Sequence, residues 1–139
     1  MAKKLNGRSV EMANRMNLIK VAFDRGYIAY LPVVDEGIDL ILLREQPYDL
    51  KLVQLKSRWT IDKKYMGRNI WIAFPEGEAT WYLAPHDKFV ALAKALGFAD
   101  GSRSWNEKGG YSRGTLNAAL RKKMGKYRFP KPEPPTEAA

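Results

Sequence analysis

The chain has no cysteine and a single histidine, His86. Disulfides, thiolate nucleophiles and zinc knuckles are excluded at once, and no His-based metal cluster can be assembled. His86 follows Pro85 where a helix is expected to begin, so it reads as a surface residue of the first turn rather than a catalytic base. Long apolar runs are missing too. IWIAF and ALAKALGFA are the longest candidates and fall far short of a bilayer span. The N-terminal MAKKLNGRS lacks the apolar core of a signal peptide, so the expectation is a cytoplasmic protein with no membrane partner. No Gly-rich loop precedes a Lys and a Ser or Thr at P-loop spacing, and no GxGxxG occurs, which disfavours nucleotide-driven motors and dinucleotide enzymes. Ser/His/Asp catalysis would need the one histidine and has no nucleophile elbow.

Acidic residues are scarce beside basic ones, 15 against 24, giving a formal net charge of +9 and a pI near 9.8. A charge of that sign favours a polyanionic partner, because neutralised phosphates release condensed counterions. What is present otherwise is a chain of single-domain size: 139 residues with 45% hydrophobic content, including four tryptophans, can fill one core. Residues 1–129 read as that domain, followed by a Pro-rich, extended tail over 130–139.

The segments GIDLILL and KLVQLKSR carry the apolar density of two strands, joined by EQPYD, which has the Pro and Asp of a turn. A turn centred between Pro47 and Tyr48 would pair residues whose numbers sum to about 95, setting Asp39 opposite Lys56 and Ile41 opposite Gln54. Side chains alternate along a strand, so Gln54 and Lys56 share a face, and Asp39 joins them across the ladder. Facing Cβ atoms lie roughly 5 Å apart and diagonal ones about 7–8 Å, a span that one hydrated divalent cation and a phosphate oxygen can bridge. This chemistry suits phosphodiester hydrolysis. An Asp oxygen can hold Mg²⁺ or Mn²⁺, and a Lys ammonium can orient water or offset developing negative charge. Gln54 can ligate a cation through its amide oxygen but brings no charge. The bland alternative is a strand-end Asp, a polar strand position and a solvated Lys.

In the order of these residues, with a helix ending in DRGY, a strand YIAYLPVV, GIDL opening the next strand and VQLKSR closing the third, the sequence resembles the PD-(D/E)XK nuclease superfamily over roughly Arg8 to Ala95. The resemblance implies a restriction-endonuclease-like core of the kind found in archaeal Holliday-junction resolvases, an α/β fold with a central mixed β-sheet flanked by helices. It also implies that Asp39 matches the metal-binding Asp, Gln54 the variable acidic position, Lys56 the catalytic Lys, and the main-chain carbonyl of Leu55 the backbone metal ligand. Many relatives add a Glu from the first helix. Counting back about eleven residues from Gly26 lands on Arg15, with Glu11 one turn earlier, where an i,i+4 salt bridge between the two is the simpler reading.

Two basic stretches are candidates for phosphate contact. SRWTIDKKYMGR reads as a loop leaving the active strand, with Arg58, Lys63, Lys64 and Arg68 around Trp59 and Tyr65, the aromatics either stacking on bases or burying against the sheet. From Arg113 to Lys131 there are seven basic residues and no acidic one. A helix is expected over Thr115 to Gly125, capped by Thr115, with Leu116, Ala119, Leu120 and Met124 inward and Arg121, Lys122 and Lys126 outward. The first helix is expected from Ser9 to Arg25, with Met12, Met16, Ile19 and Phe23 as its core stripe and Gly26 as terminator. Strands follow near Tyr27–Val33, Ile38–Arg44, Leu50–Lys56, Ile70–Phe74 and Thr80–Leu83, then a helix from Asp87 to Leu96. Trp105 and Tyr111 are expected to anchor the loop that leads to the basic helix.

The reading these features favour is a Mg²⁺-dependent endonuclease acting on DNA. A nucleic-acid-binding module on the same fold with weak or lost cleavage, and an assembly protein meeting an acidic protein partner, are the alternatives. A monomer and a homodimer are both compatible with the sequence.

Overall fold

The computed structural model describes residues 6–77, 80–99 and 101–131. Helix α1, Gly7–Phe23, begins two residues earlier than Ser9 because Asn6 is the cap, its side chain accepting the Ser9 N–H at 2.9 Å. Its inward face is Leu18 and Ala22, while Met12, Met16 and Phe23 are 54%, 58% and 62% exposed, so the expected stripe is corrected. Strands β1 (Ile28–Tyr30), β2 (Leu40–Glu45) and β3 (Tyr48–Leu55) form an antiparallel meander. Partners in the β2–β3 hairpin sum to 93, as in Leu40 with Val53, with the turn at Gln46 and Pro47. Ile41 therefore faces Leu52, not Gln54.

The next segment is not a loop. Trp59–Asp62 is a strand, β4, and Lys63–Tyr65 a 3-10 turn. The chain then returns as β5 (Ile70–Pro75), parallel to β3, and folds back antiparallel as β6 (Trp81–Pro85). Helix α2, His86–Ala95, follows at once. A π-helical turn, Ser104–Lys108, leads to β7 (Gly110–Arg113), which pairs antiparallel with β4 as a second, two-stranded sheet. Helix α3 spans only Ala118–Met124 and is capped by Asn117, whose Oδ1 accepts the Leu120 N–H at 2.8 Å, in place of Thr115. Strand β8, Arg128–Phe129, then joins the main sheet beside β6 at the end of the expected domain; residues 132–139 of the Pro-rich tail lie outside the described residues.

The result is a central mixed six-stranded sheet, in the order β1-β2-β3-β5-β6-β8, covered on both faces by helices. One face packs Leu40, Leu42, Val53, Ala73, Trp81 and Leu83 under Leu18 and Ala22 of α1. Trp81 Nε1 donates to Asn17 Oδ1 at 2.7 Å and ties that helix to the sheet. The other packs Ile70, Ile72, Phe74, Tyr82 and Ala84 under α2, α3 and the small sheet. Strand alternation fixes this division, since successive residues of β5 point to opposite faces. Trp59, Tyr65 and Trp105 are buried in the second core, Ala119 is exposed, and His86 is 1% exposed rather than on the surface. His86 is buried because Nε2 accepts the Asp62 N–H at 3.0 Å while Nδ1 lies 3.0 Å from Asp87 Oδ1, which satisfies both ring nitrogens.

Candidate active site

The end of β3 is where the chemistry-bearing residues meet. Asp39 precedes β2, and its N–H donates to the Val53 carbonyl at 2.8 Å, extending the ladder by one step. Its carboxylate Oδ2 accepts the Leu55 N–H at 2.7 Å, so the side chain lies against the Gln54–Leu55–Lys56 run. The loop before it is held by Asp35, whose Oδ1 accepts the Gly37 N–H at 3.0 Å, and by Arg68, which donates to the Glu36 carbonyl at 2.8 Å. Gly37 has φ +96°, a conformation that strains any other residue, and a Cβ there would crowd Arg68 and Tyr65 at 3.2 Å.

Gln54 is 8% exposed. Its Nε2 donates to the Tyr65 hydroxyl at 2.5 Å, and its Oε1 has no partner among the described residues. Lys56, just past the end of β3, continues its pairing through an N–H that donates to the Ala73 carbonyl at 2.8 Å, and its Nζ lies 6.0 Å from the Tyr65 ring centroid. Asp39, Gln54, Leu55 and Lys56 all line one cleft of about 650 Å³. The sequence-derived constellation is thus brought together, with Asp39 against the Leu55 N–H rather than opposite Lys56.

Helix α1 forms the opposite wall, so the first helix does reach the site, and the simpler reading of Glu11 and Arg15 as a salt bridge is corrected. Glu11, Asn14 and Arg15 line the same cleft, and no ion pair joins Glu11 to Arg15 among the described residues. Arg15 Nε is buried without a partner. The signal was in the helix periodicity: Glu11, Arg15, Leu18 and Ala22 fall on one face, which turns from apolar to polar where α1 passes over the end of β3.

The donors in this cleft are oxygens: the Asp39 carboxylate, the unpartnered Gln54 amide oxygen and the main chain at Leu55, with the carboxylates of Asp35 and Glu11 also lining it. Such a set fits a hard divalent cation that keeps several waters. Its carboxylates are spread out, and among the described residues no three His, Asp or Glu side chains cluster closely enough to hold a metal by themselves.

The basic residues separate into distinct environments. Arg58 and Arg121 line a second cleft, and Arg121 Nε lies 3.1 Å from Glu76 Oε1. Lys63 sits over the Trp105 ring at 5.1 Å, and Lys64 lies 3.9 Å from Asp62 and 5.1 Å from the Tyr65 ring. Lys122 and Lys126 are exposed and line neither cleft. Arg68 serves the loop before Asp39 through its bond to Glu36.

No protein-family model matches the chain, and no curated protein does. Among solved structures it is similar to a bacterial homing endonuclease, at 20% identity over 91% of this chain and 86% of that one, with a TM-score of 0.48. At that distance the likeness assigns neither an activity nor residue roles to this chain.

Proposed function

We propose that the chain is a metal-dependent endonuclease that hydrolyses phosphodiester bonds in DNA at the Asp39–Gln54–Lys56 cleft, on a restriction-endonuclease-like core. The observation that carries this reading is the convergence of a carboxylate, an unpartnered buried amide oxygen and a lysine at the end of one strand in a chain of net charge +9. Asp39, Gln54 Oε1 and the Leu55 carbonyl would hold Mg²⁺ or Mn²⁺, and Glu11 and Asp35 add carboxylates to the wall. The bound metal would lower the pKa of a water and neutralise charge on the phosphate. Lys56 orients that water or offsets the charge that develops on the phosphate as it is attacked. Arg15, with an unpaired Nε–H, is placed to bond a phosphate oxygen. The Leu55 N–H fixes the Asp39 carboxylate, which keeps one oxygen aimed at a stable position.

A DNA-binding module with weak cleavage is the second reading, favoured by the absence of a three-carboxylate cluster among the described residues. A cleavage assay over duplex, junction, flap and single-stranded DNA with Mg²⁺, Mn²⁺ or chelator separates the two. Metal-dependent products from wild type, formed about 10²–10³-fold more slowly by Lys56→Ala, support the nuclease. Binding without products under every metal condition supports the module.

A further inference from the structure

Four buried side-chain polar atoms lack a partner among the described residues, and they divide evenly between two clefts. Gln54 Oε1 and Arg15 Nε belong to the cleft already described. Trp59 Nε1 and Arg113 Nε belong to residues of a second cleft, of about 270 Å³, which shares Ser57 with the first. Folded proteins pair nearly all such groups with protein, water or ligand, so their concentration along one path marks where water or an outside ligand completes them.

Both unpaired atoms of the second cleft are N–H donors. Arg58 and Arg121 line it as well, and Glu76 is its single carboxylate, so three guanidiniums against one acid leave an excess of two positive charges. A wall rich in donors is complementary to an acceptor-only anion, and the planar guanidinium fork matches phosphate. The wall is also rigid. Register pairs Trp59 of β4 with Arg113 of β7, and Arg113 is held by its stacking on Phe98, 4.1 Å from the ring centroid. Trp59 is 1% exposed.

We propose that this second cleft is a phosphate subsite gripping the backbone of the same DNA strand that lies in the catalytic cleft, with Arg58 and Arg113 on the phosphate and Glu76 restraining Arg121. The inference rests on the nuclease reading for its ligand, and Ser57 supplies the continuity between the two clefts.

The test is DNA affinity by fluorescence anisotropy in chelator, which stops cleavage, at several salt concentrations. Arg58→Gln, at an exposed position, is expected to weaken binding about tenfold and to flatten the slope of log K against log salt by about 0.9. Arg113→Lys keeps the charge and loses the fork, so it weakens binding while leaving the slope unchanged. Glu76→Gln frees Arg121 and tightens binding. Lys94→Gln, outside both clefts, leaves affinity at the parent value. Parental affinity and slope in Arg58→Gln overturn the subsite, even where Asp39→Asn abolishes cleavage and the nuclease reading stands. Weakened binding in Arg58→Gln beside cleavage that survives Asp39→Asn keeps the subsite and overturns the nuclease site.

Discussion

The β2–β3 hairpin carries polar groups at both ends, and the two ends are treated oppositely. Near the turn, the Asp49 carboxylate accepts from both Tyr27 and Lys51, and Lys51 Nζ lies over the Trp71 ring at 4.3 Å and the Tyr27 ring at 5.4 Å. Burial alone would raise the Asp49 pKa, yet the hydrogen bonds from Lys51 and Tyr27, with the charges of Lys51 and Arg44, hold it below the ordinary value. Burial, reinforced by the bond to Asp49, pushes the Tyr27 hydroxyl up to about 12. At the far end, Gln54 Oε1 and Arg15 Nε are buried and unpaired. Polar groups that satisfy one another stabilise the fold, whereas polar groups left unsatisfied call for water, an ion or a ligand.

Mutations should divide along that line. The largest expected effect is at the unpaired end: Lys56→Ala should slow cleavage by about 10²–10³-fold with little change in melting temperature. At the paired end the pattern reverses. Asp49→Ala leaves Lys51 buried without its carboxylate and should cost about 3 kcal/mol in chemical denaturation, with the cleavage rate unchanged at temperatures where the variant is folded.

A titration sharpens the same contrast. The folded protein keeps the Tyr27 proton up to about pH 12, whereas the ordinary value for a tyrosine is near 10. The stabilisation is therefore complete below pH 10 and is lost as pH rises towards 12, an effect of about 2 kcal/mol. Tyr27→Phe should show no such difference across that window when unfolding curves of the two proteins are compared. The smallest effect belongs to Gln54→Glu. An added charge in the coordination shell should lower the Mg²⁺ concentration for half-maximal cleavage by about tenfold, and an unchanged metal titration would place the side chain outside that shell.

The site was legible because strand periodicity is robust. The hairpin register is two residues away from the expected one, and a slip of two, unlike a slip of one, returns every side chain to its own face. Gln54 and Lys56 keep their relation whatever the register, and the slip of two leaves Asp39 on the face expected for it. Helix α1 was harder because two stripes compete on it with the same spacing: Met12, Met16, Ile19 and Phe23 are larger and more apolar, but Glu11, Arg15, Leu18 and Ala22 face inward. Size favours the wrong stripe, so Glu11 and Arg15 are reached only through the family resemblance, and their i,i+4 spacing reads as a salt bridge rather than as a cleft wall. The β4–β7 sheet was illegible for another reason, since its strands are four residues each and pair across some fifty positions of sequence, as in Trp59 with Arg113. His86 reads as a surface residue until Asp62 N–H and Asp87 are seen to occupy its two nitrogens.

The most direct measurement is the single-turnover cleavage rate of Asp39→Asn with saturating Mg²⁺, read beside its DNA affinity and melting temperature. Asparagine keeps an oxygen to accept the Leu55 N–H, which alanine would leave unpaired, and removes only the charge. The structure predicts that cleavage is lost while affinity and melting temperature stay at the wild-type values. Cleavage at the wild-type rate in this variant would contradict the assignment of the Asp39–Gln54–Lys56 cleft as the site of hydrolysis.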